Sequence, residues 1–273
     1  NIKELIVLLF FQGDVIENYF KDGKNFGVNI QYILPSEDYG TAGAVKLAEK
    51  YIDDTFLVIS GDVLTDFNLN SAIDFHKKNK ADATILLTRV ENPLPFGIVI
   101  TEKNGKIKKF LEKPSWGEVF SDTINTGIYI LEKDVFEFIP KNKEFDFSKD
   151  LFPMMMSKNK KLFGAHMDGY WKDVGNLTEY RLAHHDVLDK KVKINIPFKK
   201  INKRLYLGEE SEVDYSTNIE GLAIIGNNCK IEKNVIIRNS VIGNNTIIED
   251  GAKILDSVLW DGVFVGRQCE IKE

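Results

Sequence analysis

The chain has 273 residues, 43% of them hydrophobic and 28% charged, with a formal net charge of −5. That apolar fraction excludes a disordered chain, the length suffices for one large or two modest domains, and the longest apolar run, residues 5–11, is far short of the ~20 that span a bilayer. A mild acidic excess with no basic block argues against nucleic acid and membrane as partners, and two cysteines, Cys229 and Cys269, build neither a disulfide framework nor a four-ligand zinc site, so a cytoplasmic location is expected.

Up to about residue 185 apolar runs alternate with helical stretches. Residues 5–9 read as a buried strand, and 15–20, apolar at 15, 16, 19 and 20, as a helix. Residues 28–33 alternate as a strand, and 41–51, rich in Ala, Lys, Glu and Leu, form a helix. The run at 55–59 is apolar throughout, as in a central strand covered on both faces. A helix at 71–79 and a strand at 83–90 follow, and the alternation predicts helices on both sides of a mostly parallel sheet. From Ile98 the spacing changes: strands at 97–101 and 107–111 flank a turn at 103–106, which predicts a hairpin. Residues 125–131 form a further strand, 147–156 a helix, and 171–175 lead into a helix at 177–188. The expected fold class is α/β, an open mixed sheet with an antiparallel insertion.

After a Lys-rich stretch at 189–205 the pattern changes completely. Aliphatic residues stand at Ile225, Ile231, Ile237, Ile242, Ile248, Ile254, Leu259, Val265 and Ile271, a repeat of 17 residues taken in steps of five or six. Ile225-Gly226-Asn227-Asn228 aligns with Ile242-Gly243-Asn244-Asn245. A register held over nearly three turns predicts a solenoid, each step one flat side of a triangular coil with its aliphatic residue inward; the loops of an ordinary sandwich vary in length. The expected organisation is an α/β domain at 1–188, a linker at 189–218 and a β-helix at 219–273.

Residues able to carry chemistry gather at predicted strand ends. Ser60-Gly61-Asp62 places a carboxylate at the edge where open α/β sheets bind ligands; Asp62 suits a divalent metal or an ordinary turn. Tyr39-Gly40-Thr41-Ala42-Gly43-Ala44 opens a helix with small residues, so free N–H groups would face a base or phosphate, although packing is the plainer use of a loop without Walker or GxGxxG spacing. Glu112 suits sugar hydroxyls and Lys113 a phosphate, provided the strand ends at Glu112; an exposed charged pair is the alternative. Asn125-Thr126-Gly127 joins an amide to bare backbone, a combination suited to polyhydroxyl recognition. Asp173 can share one Mg²⁺ with Asp62 and substrate phosphates, or cap the helix that follows. His76, His166, His184 and His185 form no metal spacing, the adjacent pair pointing different ways on a helix, and Met154-Met155-Met156 reads as core.

In their order along the chain, Gly40-Thr41-Ala42-Gly43, Gly61-Asp62, Phe96-Gly97-Ile98-Val99, Glu112-Lys113-Pro114, Asn125-Thr126-Gly127-Ile128-Tyr129 and Trp171-Lys172-Asp173-Val174-Gly175 resemble the sugar-1-phosphate nucleotidyltransferase family. The 17-residue repeats resemble the left-handed β-helix of its long members, and the motifs are most similar to those of mannose-1-phosphate guanylyltransferases. The resemblance implies a Rossmann-like, glycosyltransferase-A-like domain in which a sugar 1-phosphate, foremost mannose 1-phosphate, attacks the α-phosphorus of a nucleoside triphosphate, foremost GTP, and releases pyrophosphate. It implies Gly40, Thr41 and Asp62 on the nucleotide. Gly97, Glu112, Asn125 and Gly127 hold the hexose, Lys113 its phosphate, and Asp62 and Asp173 the Mg²⁺; Asp62, Lys113 and Asp173 are the implied catalytic set. The implied partners are the two substrates and a second copy of the chain, bound through the β-helix.

Three alternatives stand beside that expectation. One is glucose 1-phosphate with dTTP or UTP, another a non-catalytic regulatory relative that binds sugar nucleotides. The third, a β-helix acyltransferase, needs a His on the coils, and none lies beyond His185. The family's opening GGxGTRL-like loop and PKP segment have no counterpart in these residues, which begin at Asn1. The expectation is a chain truncated at both ends, with little turnover by itself for want of its phosphate cradle, and with an uncapped solenoid edge after Ile271.

Overall fold

The computed structural model describes residues 2–272. In chain order its elements are β1 (Glu4–Leu8), α1 (Gly13–Phe20), β2 (Asn29–Ile33), α2 (Gly40–Lys46), β3 (Phe56–Ile59), β4 (Val63–Thr65), α3 (Leu69–Asn79), β5 (Ala83–Arg89), β6 (Ile98–Thr101), β7 (Ile107–Leu111), β8 (Thr123–Leu131), α4 (Phe152–Ser157), β9 (Leu162–His166), β10 (Trp171–Asp173) and α5 (Leu177–Leu188), followed by short solenoid strands. They divide between two units, Asn1–Ser60 with Asn68–Asp168, and Gly61–Phe67 with Gly169–Glu273. Among the described residues no helix is long and apolar enough to cross a membrane.

In the first unit β8 is the central strand. One of its edges pairs antiparallel with β5; the other pairs with β3 along residues 128–131 and with β6 at Ile124. β7 returns antiparallel along β6, β9 runs parallel to β5, and β1 and β2 form a separate parallel pair. The sheet is mixed, as expected, with a larger antiparallel share than the alternation of the first 90 residues predicts. The reason is the short 102–106 turn, which leaves no room for the crossover that a parallel neighbour needs. Ile85, Leu87, Leu131, Phe136, Leu151, Phe152 and Met155 fill the core beneath it. The expected helix at 147–156 divides in two. Residues 147–151 wind as a wide turn in which Leu151 N donates to Asp146 O, five residues back, and α4 follows.

Two apolar runs are less covered than their composition predicts. β3 is not a central strand buried on both faces: among the described strands it pairs with β8 alone, its residues are half-buried, and Ile59 is 44% exposed. β1 is half-buried too, and α1 buries none of its residues; Val15, Tyr19 and Phe20 are exposed, the latter two against the ring of Phe26. An apolar run reports what the faces of a strand prefer and carries no signal about whether its edges are paired.

In the second unit β4 pairs antiparallel with β10. Asn176 caps α5 by accepting from Glu179 N at 3.0 Å, and Leu188 at the far end of that helix packs on Leu222 and Ile224. The solenoid follows the repeat residue by residue. Ile225, Ile231, Ile237, Ile242, Ile248 and Ile254 are at most 2% exposed, and stacked strands pair Ile231 with Ile248 and Ile248 in turn with Val265, and Ile237 with Ile254 and Ile254 in turn with Ile271. At the corners Asn228, Asn234 and Asn245 take φ of 54°, 57° and 56°, a conformation that Asn tolerates better than most side chains. A Cβ on Gly243 would stand 2.5 Å from the Trp260 carbonyl carbon in the next coil, so only glycine fits there.

Parallel pairing begins upstream of the expected boundary, with Leu205 to Leu207 alongside Ala223 to Ile225. The coils thus reach into the stretch read as a 189–218 linker. An 18-residue step between Leu207 and Ile225, together with Lys199, Lys200, Lys203 and Arg204, hides the repeat at that end. Ile248→Ala is expected to cost about 2–5 kcal/mol of stability, seen as a lower urea midpoint. An unchanged midpoint would contradict an inward-facing Ile248.

Candidate active site

Gly40 opens α2 at φ +66°, where a Cβ would stand 2.9 Å from the carbonyl oxygen of Phe145. That oxygen accepts from Ala42 N and Gly43 N at 2.9 Å each, Phe145 N donates to Tyr39 O at 2.9 Å, and Gly40 N donates to Asp38 Oδ1 at 2.9 Å. The expected row of free N–H groups is therefore corrected: the small residues let the 143–145 backbone approach, and the N–H groups of residues 42 and 43 are bound to it. What the loop presents is Thr41, exposed, with its hydroxyl donating to Asp146 Oδ2 at 2.8 Å and accepting from Phe147 N at 3.0 Å.

Gly97, Glu112, Asn125 and Gly127 come together where β3 and β6 share one edge of β8. Asn125 N donates to Gly97 O at 2.8 Å, and Asn125 Oδ1 accepts from Gly127 N at 3.0 Å. Asn125 Nδ2 donates to Tyr129 Oη and to Ser148 Oγ, both at 3.1 Å. Gly127 itself sits at φ +74°, a conformation L side chains rarely adopt. A Cβ on Gly97 would lie 2.6 Å from Glu112 Oε2, so this glycine makes room for the carboxylate.

Glu112 Oε2 is buried with no hydrogen-bond partner among the described residues. Burial first, then the charge of Asp146, holds this carboxyl above the usual carboxylate range, against the pull of Ser148, Lys113 and Lys149. An unpaired buried acceptor costs free energy that a ligand hydroxyl recovers by donating to it. β7 ends at Leu111, and Lys113 follows at φ +43° with its N–H bonded to Phe96 O at 3.2 Å and its side chain exposed. The strand has thus ended before Glu112, which removes the strand alternation that would force the two side chains apart.

Asp146 and Ser148, which join Thr41 to Asn125, were not legible as site residues. In sequence Asp-Phe-Ser looks like an ordinary helix start, and Asp146 does accept from Ser148 N and Lys149 N at 2.8 and 3.1 Å.

In the second unit the β4–β10 ladder pairs Val63 with Asp173, and Val174 N donates to Asp62 O at 2.8 Å. Asp62 and Asp173 therefore stand at the same end of one ladder, the first exposed and the second half-buried. Asp173 does not cap α5, since Asn176 does, and a Cβ on Gly175 would come within 3.2 Å of Asp173 Oδ1. Two carboxylates are a donor set that fits Mg²⁺, which takes one or two with substrate phosphates completing its shell. Among the described residues no group of three or more His, Cys, Asp or Glu could hold a metal. His184 and His185 point apart as expected, one ring at Tyr180 O and the other at Asp256 O.

A family model described as nucleotidyl transferase matches residues 1–190. The chain belongs to the nucleotidyl transferase family. A second model, bacterial transferase hexapeptide (six repeats), matches residues 222–256 of this nucleotidyl transferase, in the solenoid. A UTP–glucose-1-phosphate uridylyltransferase of Synechocystis is 35% identical to it, over 97% of this chain and 76% of that protein. A mannose-1-phosphate guanyltransferase of Yarrowia lipolytica is 36% identical over 66% of this chain and 50% of that protein, so the chain spans about half the length of that relative. The crystal structure of HddC from Yersinia pseudotuberculosis has a TM-score of 0.58 and 25% identity, covering 67% of this chain and 78% of that one. These matches bear out the expected fold class and the resemblance to sugar-1-phosphate nucleotidyltransferases.

Proposed function

We propose that this nucleotidyl transferase joins a nucleoside triphosphate to a sugar 1-phosphate. A phosphate oxygen of the sugar attacks the α-phosphorus, the bond to the bridging α–β oxygen breaks, and pyrophosphate leaves as the NDP-sugar forms. Family membership supports the reaction class, and the observation that carries the sugar side is the buried, partnerless Glu112 Oε2 in the space left by Gly97. Glu112 accepts a hexose hydroxyl, and Asn125 and Gly127 orient the ring. Lys113 neutralises the sugar phosphate, while Gly40 and Thr41 line the nucleotide.

Asp62 and Asp173 would hold Mg²⁺, which when bound supplies neutralising charge to the phosphates. No protein nucleophile takes part, so positioning and charge carry the rate. The solenoid serves assembly of a homo-oligomer, supported by exposed Ile247 and Phe264 side by side on its outer face.

GTP with mannose 1-phosphate is the finer reading, supported by the order of the motifs and by the guanyltransferase relative. UTP with glucose 1-phosphate is the second, favoured by the relative matched over nearly the whole chain. Calorimetric titration with GDP-mannose and UDP-glucose separates them: GDP-mannose is expected to bind at least about tenfold more tightly, and only with Mg²⁺ present. Preference for UDP-glucose would move the assignment to the second reading, and binding of neither would remove both.

A further inference from the structure

Thr41 and the Glu112–Asn125 cluster lie far apart in the chain, and the segment 145–148 touches both. Its backbone clamps the loop, with Phe145 O accepting from Ala42 N and Gly43 N and Phe145 N donating to Tyr39 O. Its side chains divide the rest of the work. Asp146 Oδ2 accepts from the Thr41 hydroxyl at 2.8 Å, and its Oδ1 accepts from Ser148 N and Lys149 N. Ser148 Oγ accepts from Asn125 Nδ2 at 3.1 Å, and Ser148 stands close enough to Glu112 to pull its carboxyl down. Thr41, Asp146, Ser148 and Asn125 are bonded one to the next, so rotating one side chain disturbs its neighbour.

The segment is also anchored firmly enough to act as a strut. Phe147, Leu151 and Phe152 are at most 2% exposed, and the wide turn keeps Asp146 O bonded to Leu151 N at 3.0 Å. Asp146 N donates to Asp150 Oδ2 at 2.8 Å, which closes the turn on itself. A π-type turn is uncommon and frequently found at functional sites.

We infer that Asp146 is a positioning residue that sets the nucleotide loop and the sugar-phosphate cluster in one geometry, acting on Thr41 directly and on Asn125 through Ser148. The inference rests on the proposed nucleotidyl transfer, because it assigns Thr41 to one substrate and Asn125 to the other. A residue bonded to Thr41 alone would affect one substrate. One that orients both ends affects both, and an acceptor oxygen in its place restores the effect.

The test is steady-state kinetics of Asp146→Ala, Asp146→Asn and Ser148→Ala, with KM taken separately for the triphosphate and the sugar 1-phosphate. Asp146→Ala is expected to raise both KM values by about tenfold, the size of one lost hydrogen bond to a charged group, and Asp146→Asn to recover most of the loss. Ser148→Ala is expected to raise the sugar 1-phosphate KM alone. A change in only one KM for Asp146→Ala, or no recovery with Asn, would overturn the inference. So would a lowered Tm in Asp146→Ala with both KM values unchanged, the signature of a merely structural role. Failure of the underlying reading is distinct, since the unsubstituted protein would then turn over no pair of these substrates.

Discussion

Asp173→Asn is expected to lower kcat by about 10²–10³-fold, the usual cost of removing one preorganised electrostatic group from a phosphoryl or acyl transfer site. The substitution keeps the shape of the side chain, turns one of its two acceptor oxygens into an NH2 donor and removes the negative charge. The Val63–Asp173 pairing and the 2.8 Å bond from Val174 N to Asp62 O are made by backbone groups whichever side chain stands there, so the ladder survives the change. If Asp62 and Asp173 act on one ion, Asp62→Asn has an effect of similar size, and the double variant is little worse than either, because groups that work as a unit do not add. The second readout is the Mg²⁺ concentration for half-maximal rate, which rises in both single variants. A rate within threefold of the unsubstituted protein (roughly 0.6 kcal/mol of barrier) would remove Asp173 from the machinery.

Glu112→Gln is expected to separate stability from function. In the folded chain the carboxyl is held above its ordinary range, first by burial and then by Asp146, so between that range and its raised value the folded state binds more protons than the unfolded state. Stability is therefore full below the ordinary carboxylate range and declines as pH rises through the raised one. Glutamine carries no charge to bury, so the variant should melt at a higher temperature than the unsubstituted protein at pH 7, and that advantage should fade as pH falls to about 4. Over the same comparison the KM for sugar 1-phosphate should rise by about tenfold or more, because a charged acceptor for a hydroxyl is lost. Calorimetric melting at the two pH values checks the first half and initial rates the second. An advantage of equal size at both pH values would contradict a raised Glu112.

Both expectations depend on details that were unequally legible in the chain. The solenoid could be read almost residue by residue, because a parallel coil imposes one inward residue per side and every turn repeats the demand; Ile225 through Ile254 are buried as the spacing requires. Its upstream end escaped because one 18-residue step breaks the period. The mixed sheet was legible in its strands and less so in its pairing. β3 looks like a central strand in composition and is paired along one edge, since edge pairing is set by segments distant in sequence.

The candidate residues divide in the same way. Gly97, Glu112, Asn125 and Gly127 are recognisable as small or polar residues at strand ends, and they meet because β6, β7 and β8 are neighbours. The Gly40–Gly43 loop looks like an anion cradle, yet its close approach to Phe145 is a tertiary contact about a hundred residues away that no local pattern carries. Asp146 and Ser148 were hidden by their own helix-start chemistry, which accounts for an Asp before a turn without any appeal to a ligand.

The measurement that tests the central claim most directly follows the α-phosphate. The protein expressed from its natural gene is supplied with Mg²⁺, mannose 1-phosphate and GTP labelled in turn at the α- and γ-phosphate, with glucose 1-phosphate and UTP as the parallel pair. Label from the α-position is expected in the NDP-sugar alone, and label from the γ-position in pyrophosphate alone. Label appearing as free orthophosphate, or no labelled sugar nucleotide with either pair, would contradict nucleotidyl transfer by this protein.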